Sequence, residues 1–277
     1  MVYKTFMDVP VFSVSPDPTC MYQTPALKDA VAKIRRAIAL KQGLACIFGD
    51  NGFGKSSLLR YIAASYDHNE TFRVAMVAEK TNAPQFTFLK AISKEFDIPP
   101  QRSAVAQMDA LEEFLVEQYK EGKTVLVIVD EAQLLRLESM ECIRSLLNYE
   151  TNTEKLCQVV LAGQLELRDR MMTRRYKAFR SRIVAPVVLE LFTPEETHSM
   201  ITFRHEYWQV KNRFNPEAIQ RVHEITQGVP RDIVLICGYA YSYAIDHQTG
   251  VIGPGLIDSA ARNLDMHKDR ETATAVA

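Results

Sequence analysis

The segment IFGDNGFGKSSLLR, which begins at Ile47, constrains the fold of this chain more than any other. The fixed positions of the pattern G-x-x-x-x-G-K-[S/T] fall on Gly49, Gly54, Lys55 and Ser56. Glycines in such a loop let consecutive backbone N–H groups turn toward one phosphate. The apolar run LACIF before the loop favours a buried strand, and the apolar spacing of SSLLRYIAASY after it favours a helix. The segment therefore predicts a strand, an anion-binding loop and a helix in succession.

Each polar side chain of this loop has a predicted task at a nucleoside triphosphate. Lys55 is placed to reach the β- and γ-phosphates, and the Ser56 hydroxyl is placed to ligate Mg²⁺. The helix that starts here adds the positive end of its dipole beneath the phosphates. The other loop positions that we expect beside the nucleotide are Asp50, Asn51, Gly52, Phe53 and Ser57.

A second polar element, TVLVIVDEAQLL at residues 124–135, predicts hydrolysis in addition to binding. Its five consecutive apolar residues are typical of a parallel strand that is covered on both faces. Asp130 and Glu131 follow at the carboxyl end, where open α/β sheets bind their ligands. We expect Asp130 to hold Mg²⁺ or its water shell, and Glu131 to polarise the attacking water.

Composition favours a cytoplasmic protein and gives it no strong electrostatic preference. The 277 residues carry a net charge of −1, so a nucleic acid or membrane partner would have to meet a local patch. No apolar stretch reaches the roughly 18 residues of a membrane helix, and the N-terminus lacks the features of a signal peptide. The cysteines form no C-x-x-C pair, which favours a reducing compartment; they are Cys20, Cys46, Cys142, Cys157 and Cys237.

Strands alternate with helices up to Phe192, and only helices follow, which predicts two domains after an extended arm at 1–25. The first domain, 26–192, is predicted to hold a five-stranded parallel sheet flanked by helices. The second, 193–277, is predicted to be a small helical lid that opens with a capping box of Thr193 and Glu196 and ends in a tail. Beyond the two polar elements, predicted strands lie at 72–78, 156–162 and 185–191. Predicted helices lie at 26–41, 84–96, 106–121, 138–149, 215–226, 230–247 and 254–266.

This organisation resembles the AAA+ ATPases, and three further segments carry the resemblance. Gln164, after the fourth strand, matches the sensor-1 position, which helps to orient the hydrolytic water. The segment YKAFRSRI matches the region of the arginine finger that reaches a neighbouring subunit's nucleotide, with Arg182 the first choice and Arg180 the second. Arg231 in GVPRDI matches the sensor-2 position. Taken alone, Gln164 could cap a helix, and either arginine of the finger region could be a solvated charge.

Within the AAA+ ATPases the chain resembles the ExeA/GspA group and the related TnsC- and MuB-type transposition ATPases. The opening YKTFMDVPVFSVSPDPTCMYQTPALKDAV and the segments AGQLEL and GVPRDI carry this resemblance. It implies ATP and Mg²⁺ as cofactors, assembly of a homo-oligomeric ring or filament with ATP, and Tyr22 close to the adenine. Tyr22 could also be a packed aromatic anchor. The chain departs from the usual pattern at Phe53, where a small residue or Thr is common, and at Ser56, where Thr is commoner.

Three hypotheses remain for the process that hydrolysis drives. The first is a regulator associated with double-stranded DNA, as in the selection of transposition targets. It depends on the basic segment 168–182, on Lys80 and Thr81, and on the cluster of Tyr207, Trp208, Lys211, Asn212 and Arg213. Each has a structural alternative: an arginine-finger interface would also need basic residues, Lys80 and Thr81 could belong to a solvated loop, and Trp208 could pack within the lid. The second is an ATPase of secretion or pilus assembly, and the third is a nucleotide-gated switch for a protein partner. Larger secretion relatives carry a membrane helix and a peptidoglycan-binding domain, so their absence here favours the first hypothesis, with a transposase as a possible partner.

Overall fold

The computed structural model describes residues 11–15, 17–78 and 83–264. Its strands are β1 (Leu44–Phe48), β2 (Phe72–Ala78), β3 (Thr124–Asp130), β4 (Cys157–Gly163) and β5 (Ile183–Val188). Its first helices are α1 (Pro25–Ala39), α2 (Lys55–Asp67), α3 (Gln85–Glu95), α4 (Ala104–Lys120), α5 (Leu137–Leu146), α6 (Leu165–Met172) and α7 (Lys177–Arg180). The remaining helices are α8 (Pro194–Trp208), α9 (Pro216–Thr226), α10 (Pro230–Asp246) and α11 (Pro254–Asn263). In these ranges no helix is long and apolar enough to span a membrane.

The five strands form one parallel sheet in the order β2-β3-β4-β1-β5. The central strands β1, β3 and β4 are buried along their whole length, because helices cover both faces of a parallel sheet. Phe48 of β1 lies beside Gly163 of β4, and Val129 of β3 lies beside Leu161 of β4. The carboxyl ends of the three central strands therefore lie side by side, and so do the residues that follow them. The predicted parallel sheet is confirmed.

The edge strand β5 is protected against pairing with another chain. Pro186 has no N–H to offer a further strand. Its carbonyl accepts a hydrogen bond of 2.8 Å from the Nζ of Lys33 in α1. The sequence placed this strand at 185–191, whereas it begins two residues earlier. It ends at Val188, and the N–H of Leu189 makes one last bond to the Phe48 carbonyl, at 2.7 Å.

The chain divides into two compact units. One is the α/β unit, which contains Pro25–Asn51 and Lys55–Leu189. The other is the helical unit, which contains the described residues up to Thr24, the three residues Gly52–Gly54, and the described residues from Glu190 onward. Whether 26–192 and 193–277 fold as separate domains stays a prediction.

The helical unit begins with the predicted capping box. The Thr193 hydroxyl accepts the N–H of Glu196, and the Glu196 carboxylate accepts the N–H of Thr193. The residues before Thr24 were predicted to be an extended arm, but the described ones form turns and contribute buried side chains to this unit. Phe12 is buried because its ring packs edge-to-face against His205 and Phe214.

All five cysteines are buried free thiols, as expected for small core residues. Burial raises the pKa of the Cys157 thiol on β4 to about 12, and it raises the pKa of Cys46 and Cys237 further. Because the thiolate is the reactive form, these three side chains are poor nucleophiles. The sequence did not predict α6 and α7, which are short and carry many charges.

Gly228 is the residue of the helical unit that tolerates a side chain least. It has φ +79°, its carbonyl accepts the N–H of Phe192, and an added Cβ would lie 2.0 Å from the Phe192 carbonyl oxygen. We expect Gly228→Ala to lower the free energy of unfolding by about 2 kcal/mol or more. Urea unfolding followed by the fluorescence of Trp208, the single tryptophan of the chain, measures this. Gly255→Ala is the matched control, since a Cβ at that helical position meets nothing within 4 Å; equal effects of the two substitutions would contradict the prediction.

Candidate nucleotide-binding site

The loop between β1 and α2 has the conformation of an anion-binding turn. Gly52 and Gly54 have φ of +84° and +91°, which other residues rarely adopt. An added Cβ at Gly52 would also lie 2.9 Å from Cγ1 of Val229. Because α2 begins at Lys55, directly after the loop, the N–H groups of its first turn and the positive end of its dipole lie next to the N–H groups of the loop. The loop and the helix start therefore fit the phosphates of a nucleotide.

Lys55 is buried at this point, with 6% of its surface exposed. Its Nζ donates hydrogen bonds to the carbonyls of Gly49 and Asp50, at 2.8 and 2.9 Å. Burial lowers the pKa of the Lys55 ammonium, while the charges of Glu131, Asp130 and Asp50 act in the opposite direction. The side chain is thus a desolvated cation beside carboxylates, which makes it a strong partner for a phosphate group.

Ser56 and Asp130 meet across the site. The Ser56 hydroxyl donates a 2.6 Å hydrogen bond to Oδ2 of Asp130, which is only 6% exposed. The contact joins the first turn of α2 to the carboxyl end of β3, two elements that are 74 residues apart in sequence. A hydroxyl and a carboxylate are oxygen ligands of the kind that Mg²⁺ prefers, with phosphate oxygens and waters completing the set. The two residues therefore fit a magnesium ion that accompanies the phosphates.

Glu131 is held in an unusual backbone conformation. Its φ of 54° and ψ of 36° lie in the left-handed region, which costs a residue with a Cβ about 1 kcal/mol or more. The N–H of Glu131 donates to Oδ1 of Asp130 at 2.9 Å, so the two acidic residues share one tight turn. This turn ends β3, and the carboxylate of Glu131 accepts a hydrogen bond from the side chain of Gln133.

Gln164 follows β4 and lies beside a residue that the sequence analysis did not single out, Gln133. Gln164 is the N-cap residue of α6, yet its side chain makes no capping bond. Its N–H donates to Oε1 of Gln133 at 3.2 Å, and Nε2 of Gln133 donates to Oε2 of Glu131 at 2.5 Å. The structure thus brings the predicted sensor and the predicted general base onto one amide. A polar residue inside the apolar run AQLL was the only sequence signal for Gln133.

A second residue that the sequence analysis did not single out, Arg170 of α6, joins this group to the predicted finger segment. Its guanidinium donates to the Gln133 carbonyl, to the Leu135 carbonyl at 3.0 Å and to the Tyr176 hydroxyl at 3.0 Å. The cation also lies 5.5 Å from the centre of the Tyr176 ring. The sequence analysis included Arg170 only as one cation of the basic segment 168–182, because nothing local in the sequence distinguishes it from its exposed neighbours.

The two candidate finger residues have different surroundings. Nη1 of Arg180 donates to the carbonyls of Met171 and Met172 at the end of α6, at 3.2 and 2.8 Å. Arg182 donates to the carbonyl of Ala178 and, at 2.6 Å, to Oδ1 of the exposed Asn148. Arg180 therefore satisfies helix-end carbonyls, whereas water can replace the partners of Arg182.

Two predicted nucleotide contacts, Arg231 and Tyr22, lie in the helical unit. Arg231 is exposed in the first turn of α10, and its N–H donates to the carbonyl of Gly52 at 3.1 Å. The Tyr22 ring lies 6.0 Å from Phe192 and 5.7 Å from Phe203, measured between centroids. Tyr22 is therefore a packed aromatic residue, as the second interpretation proposed, and its contact with adenine stays a prediction.

The proposed DNA contacts receive less support from the structure. Lys80 and Thr81 lie outside the described residues. Trp208 packs against the core of the helical unit, and the Tyr207 hydroxyl donates to the Thr19 hydroxyl at 2.8 Å. Arg213 lies over the Tyr241 ring, 5.9 Å from its centroid. The aromatic and basic cluster around Trp208 is thus used mainly for folding.

Comparisons with known proteins agree with this geometry. The family model described as an AAA domain matches residues 38–171, the span from the end of α1 to α6. General secretion pathway protein A of Aeromonas hydrophila is 29% identical over 266 residues. That alignment covers 95% of this chain and 48% of the relative, so the chain spans about half the length of the curated relative it matches.

Two solved structures illustrate the similarity of the fold. Cdc6p from Pyrobaculum aerophilum superposes with a TM-score of 0.73 at 14% identity, over 95% of this chain and 72% of that one. The ORC2 protein of Aeropyrum pernix, in its ADPNP and ADP complexes, superposes with a TM-score of 0.68 at 18% identity, over 92% and 71%. The chain has the P-loop AAA+ fold. Within that class, the similarity to general secretion pathway protein A supports the ExeA/GspA part of the resemblance.

The surroundings of the two candidate finger residues predict different effects on stability. Arg180→Ala removes the donor to two carbonyls at the end of α6, so we expect the free energy of unfolding to fall by about 1 kcal/mol. Arg182→Ala removes contacts that water can replace and should cost less. Urea unfolding followed by far-UV circular dichroism compares the two variants with the wild type. Equal losses would show that Arg182 is as much a structural residue as Arg180.

Proposed function

We propose that the protein hydrolyses ATP with Mg²⁺ at the site formed by the β1–α2 loop and the carboxyl end of β3. The observation that carries the proposal is the 2.6 Å hydrogen bond between Ser56 and Asp130. It brings two magnesium ligands of the expected chemistry together, next to the buried ammonium of Lys55. A phosphate loop alone would support binding, whereas the adjacent Glu131 supports turnover.

Each residue has a separate task in this proposal. Lys55 and the loop N–H groups bind the β- and γ-phosphates, and Ser56 and Asp130 hold Mg²⁺, which neutralises charge that develops on the phosphates. Glu131 accepts a hydrogen bond from the attacking water and draws its proton away from the phosphate. Gln164 is connected to Glu131 by the side-chain amide of Gln133, and it orients the same water. Arg231 and Tyr22 are the further nucleotide contacts that the resemblance to the AAA+ ATPases implies.

Hydrolysis by a single copy lacks one group in this proposal, the arginine finger. We assign it to Arg182, because Arg180 is engaged with the end of α6 while the partners of Arg182 are replaceable. A finger acts on the nucleotide of a neighbouring subunit, so ATP and assembly favour each other. The proposed assembly is a homo-oligomeric ring or filament.

Different observations support two different processes that hydrolysis could serve. The 29% identity to general secretion pathway protein A supports a component of secretion or pilus assembly of the ExeA/GspA type. A regulator bound to double-stranded DNA, as in transposition, is supported by the exposed cations of α6, of α7 and of the turn between them, namely Arg168, Arg174, Arg175 and Lys177. The two proposals differ in whether the assembled protein holds duplex DNA.

Turnover tests the enzymatic proposal. Glu131→Gln keeps the size of the side chain but cannot take a proton, so we expect kcat to fall by about 100-fold while ATP binding is retained. Lys55→Ala should instead weaken ATP binding, because it removes the charged contact to the phosphates. Phosphate release measures the first effect, and titration calorimetry with ATP and Mg²⁺ measures the second.

Mixed assemblies provide the control for a finger given in trans. Glu131→Gln subunits keep Arg182, and Arg182→Ala subunits keep Glu131, so some interfaces of a mixture hold both groups and activity should partly return. Wild-type turnover that Glu131→Gln leaves unchanged would refute the assigned chemistry. Full activity of Arg182→Ala at every protein concentration would instead refute only the finger.

Duplex binding separates the two processes. If the protein is a DNA-associated regulator, it binds labelled duplex only with a slowly hydrolysed ATP analogue, because assembly adds weak phosphate contacts together. Binding should fall steeply with salt and show little sequence preference. Fluorescence anisotropy at two salt concentrations measures both properties. Lys80→Ala should weaken binding without changing ATP affinity, whereas Lys94→Ala, an exposed lysine of α3, is the matched control.

The absence of duplex DNA binding would favour the alternative process, secretion or pilus assembly. Protein that is assembled with the analogue at low salt, as shown by light scattering, and yet leaves the duplex free would favour the secretion or pilus component. Equal losses from Lys80→Ala and Lys94→Ala would contradict the specific placement of the DNA contact at Lys80.

A further inference from the structure

The side chain of Gln133 makes two hydrogen bonds to residues outside its own helical turn. It lies in the short 3₁₀ helix Ala132–Leu134 directly after the acidic pair. Its Oε1 accepts the N–H of Gln164 at 3.2 Å, and its Nε2 donates to Oε2 of Glu131 at 2.5 Å. One carboxamide thus bridges the ends of β3 and β4, with the proposed general base on one side and the proposed water-orienting residue on the other.

The two partners fix the orientation of this amide. A backbone N–H is only a donor, so it must meet the oxygen of the carboxamide. An ionised carboxylate is only an acceptor, so it must meet the NH₂ group. A flipped amide would break both bonds at once. The chemistry of the two partners therefore determines that the NH₂ group of Gln133, and not its oxygen, faces Glu131.

The surroundings hold Gln133 in place from two further directions. Its backbone carbonyl accepts a hydrogen bond from the guanidinium of Arg170. Gly163, the last residue of β4, leaves the space that the amide uses, since an added Cβ there would lie 3.2 Å from Oε1. Glu131 sits on a strained turn, and its carboxylate accepts the bond from Gln133. Gln133 is held in addition through Gln164 and Arg170.

We propose that Gln133 is a positioning residue for hydrolysis, which acts by holding the Glu131 carboxylate toward the attacking water. The amide binds Oε2 and thereby assigns Oε1 to the proton of the water. Because the same amide receives the N–H of Gln164, the general base and the water-orienting residue are set relative to each other by one side chain. The inference rests on the proposed ATP hydrolysis and deepens it, since it names a residue that touches neither the phosphates nor the metal ligands.

Two substitutions of Gln133 test the role. Gln133→Met has nearly the same shape and removes both hydrogen bonds, and Gln133→Glu keeps an acceptor for Gln164 but removes the donor to Glu131. We expect both to lower kcat by about 10-fold or more, with ATP affinity and assembly unchanged. The measurements are phosphate release over a range of ATP concentrations, calorimetric ATP binding and light scattering.

The matched control is Gln158→Met. Gln158 is a buried bridging amide at the opposite end of β4, which accepts the N–H of Gly43 at 2.8 Å and donates to the Lys155 carbonyl at 3.0 Å. Its substitution costs similar hydrogen bonds far from the site. It should lower the unfolding temperature while the folded protein keeps its kcat, so it separates lost stability from lost positioning.

A double-mutant cycle decides whether Gln133 acts through Glu131. If it does, Gln133→Met added to Glu131→Gln lowers the residual rate no further than Glu131→Gln alone, because the base that it positions is already gone. Multiplication of the two effects would overturn the inference. A kcat for Gln133→Glu within about 2-fold of the wild type would also overturn it, as would a faster Gln133→Met enzyme, which would make the amide a restraint.

The outcomes also distinguish this inference from the proposed function. Wild-type protein without turnover that depends on Glu131 would overturn both. Turnover that depends on Glu131 but is indifferent to Gln133 would leave the proposed function standing and overturn the positioning role alone. Should Gln133→Met fold poorly, Gln133→Glu carries the same test, since it retains the bond to Gln164.

Discussion

The site depends on the parallel register of three strands. Because β1, β3 and β4 run in the same direction and end side by side, the loop after β1, the acid pair after β3 and Gln164 after β4 reach one edge of the sheet. The hydrogen bond between Ser56 and Asp130 is possible only in this arrangement. A shift by one residue in a strand would exchange the side chains that pack against the helices on the two faces, so close packing of the core favours the register on which the chemistry relies.

Unfavourable local features are concentrated at this edge and are compensated there. Lys55 is a buried cation, and Glu131 is a non-glycine residue in a left-handed conformation. Each would destabilise an isolated segment, yet the carboxylates around Lys55 and the hydrogen bonds around Glu131 offset the cost. The central strands beneath this edge are almost wholly apolar and are buried, and their burial stabilises the fold against these local costs.

The sequence was informative wherever the chemistry is local. The phosphate loop, the pair Asp130 and Glu131, and the capping box at Thr193 are set by residues within one short segment, and the sheet followed from alternating strands and helices. Gln133 and Arg170 escaped, because their partners lie 31 and 37 residues away and exist only after the strands align. The burial of Phe12 escaped for the same reason, since three distant aromatic neighbours hold it.

Arg170 gives the molecule a mechanical property that neither of its neighbours has alone. One guanidinium holds the carbonyls of Gln133 and Leu135 on one side and the hydroxyl of Tyr176 on the other. These bonds connect the 174–182 segment to the turn after Asp130 through one side chain. Thermodynamic linkage makes the relation reciprocal: whatever docking does to that turn, nucleotide bound at the turn does to docking, by the same free energy. In the homo-oligomer that we propose, this one guanidinium would couple docking at the 174–182 segment to the nucleotide of the same copy.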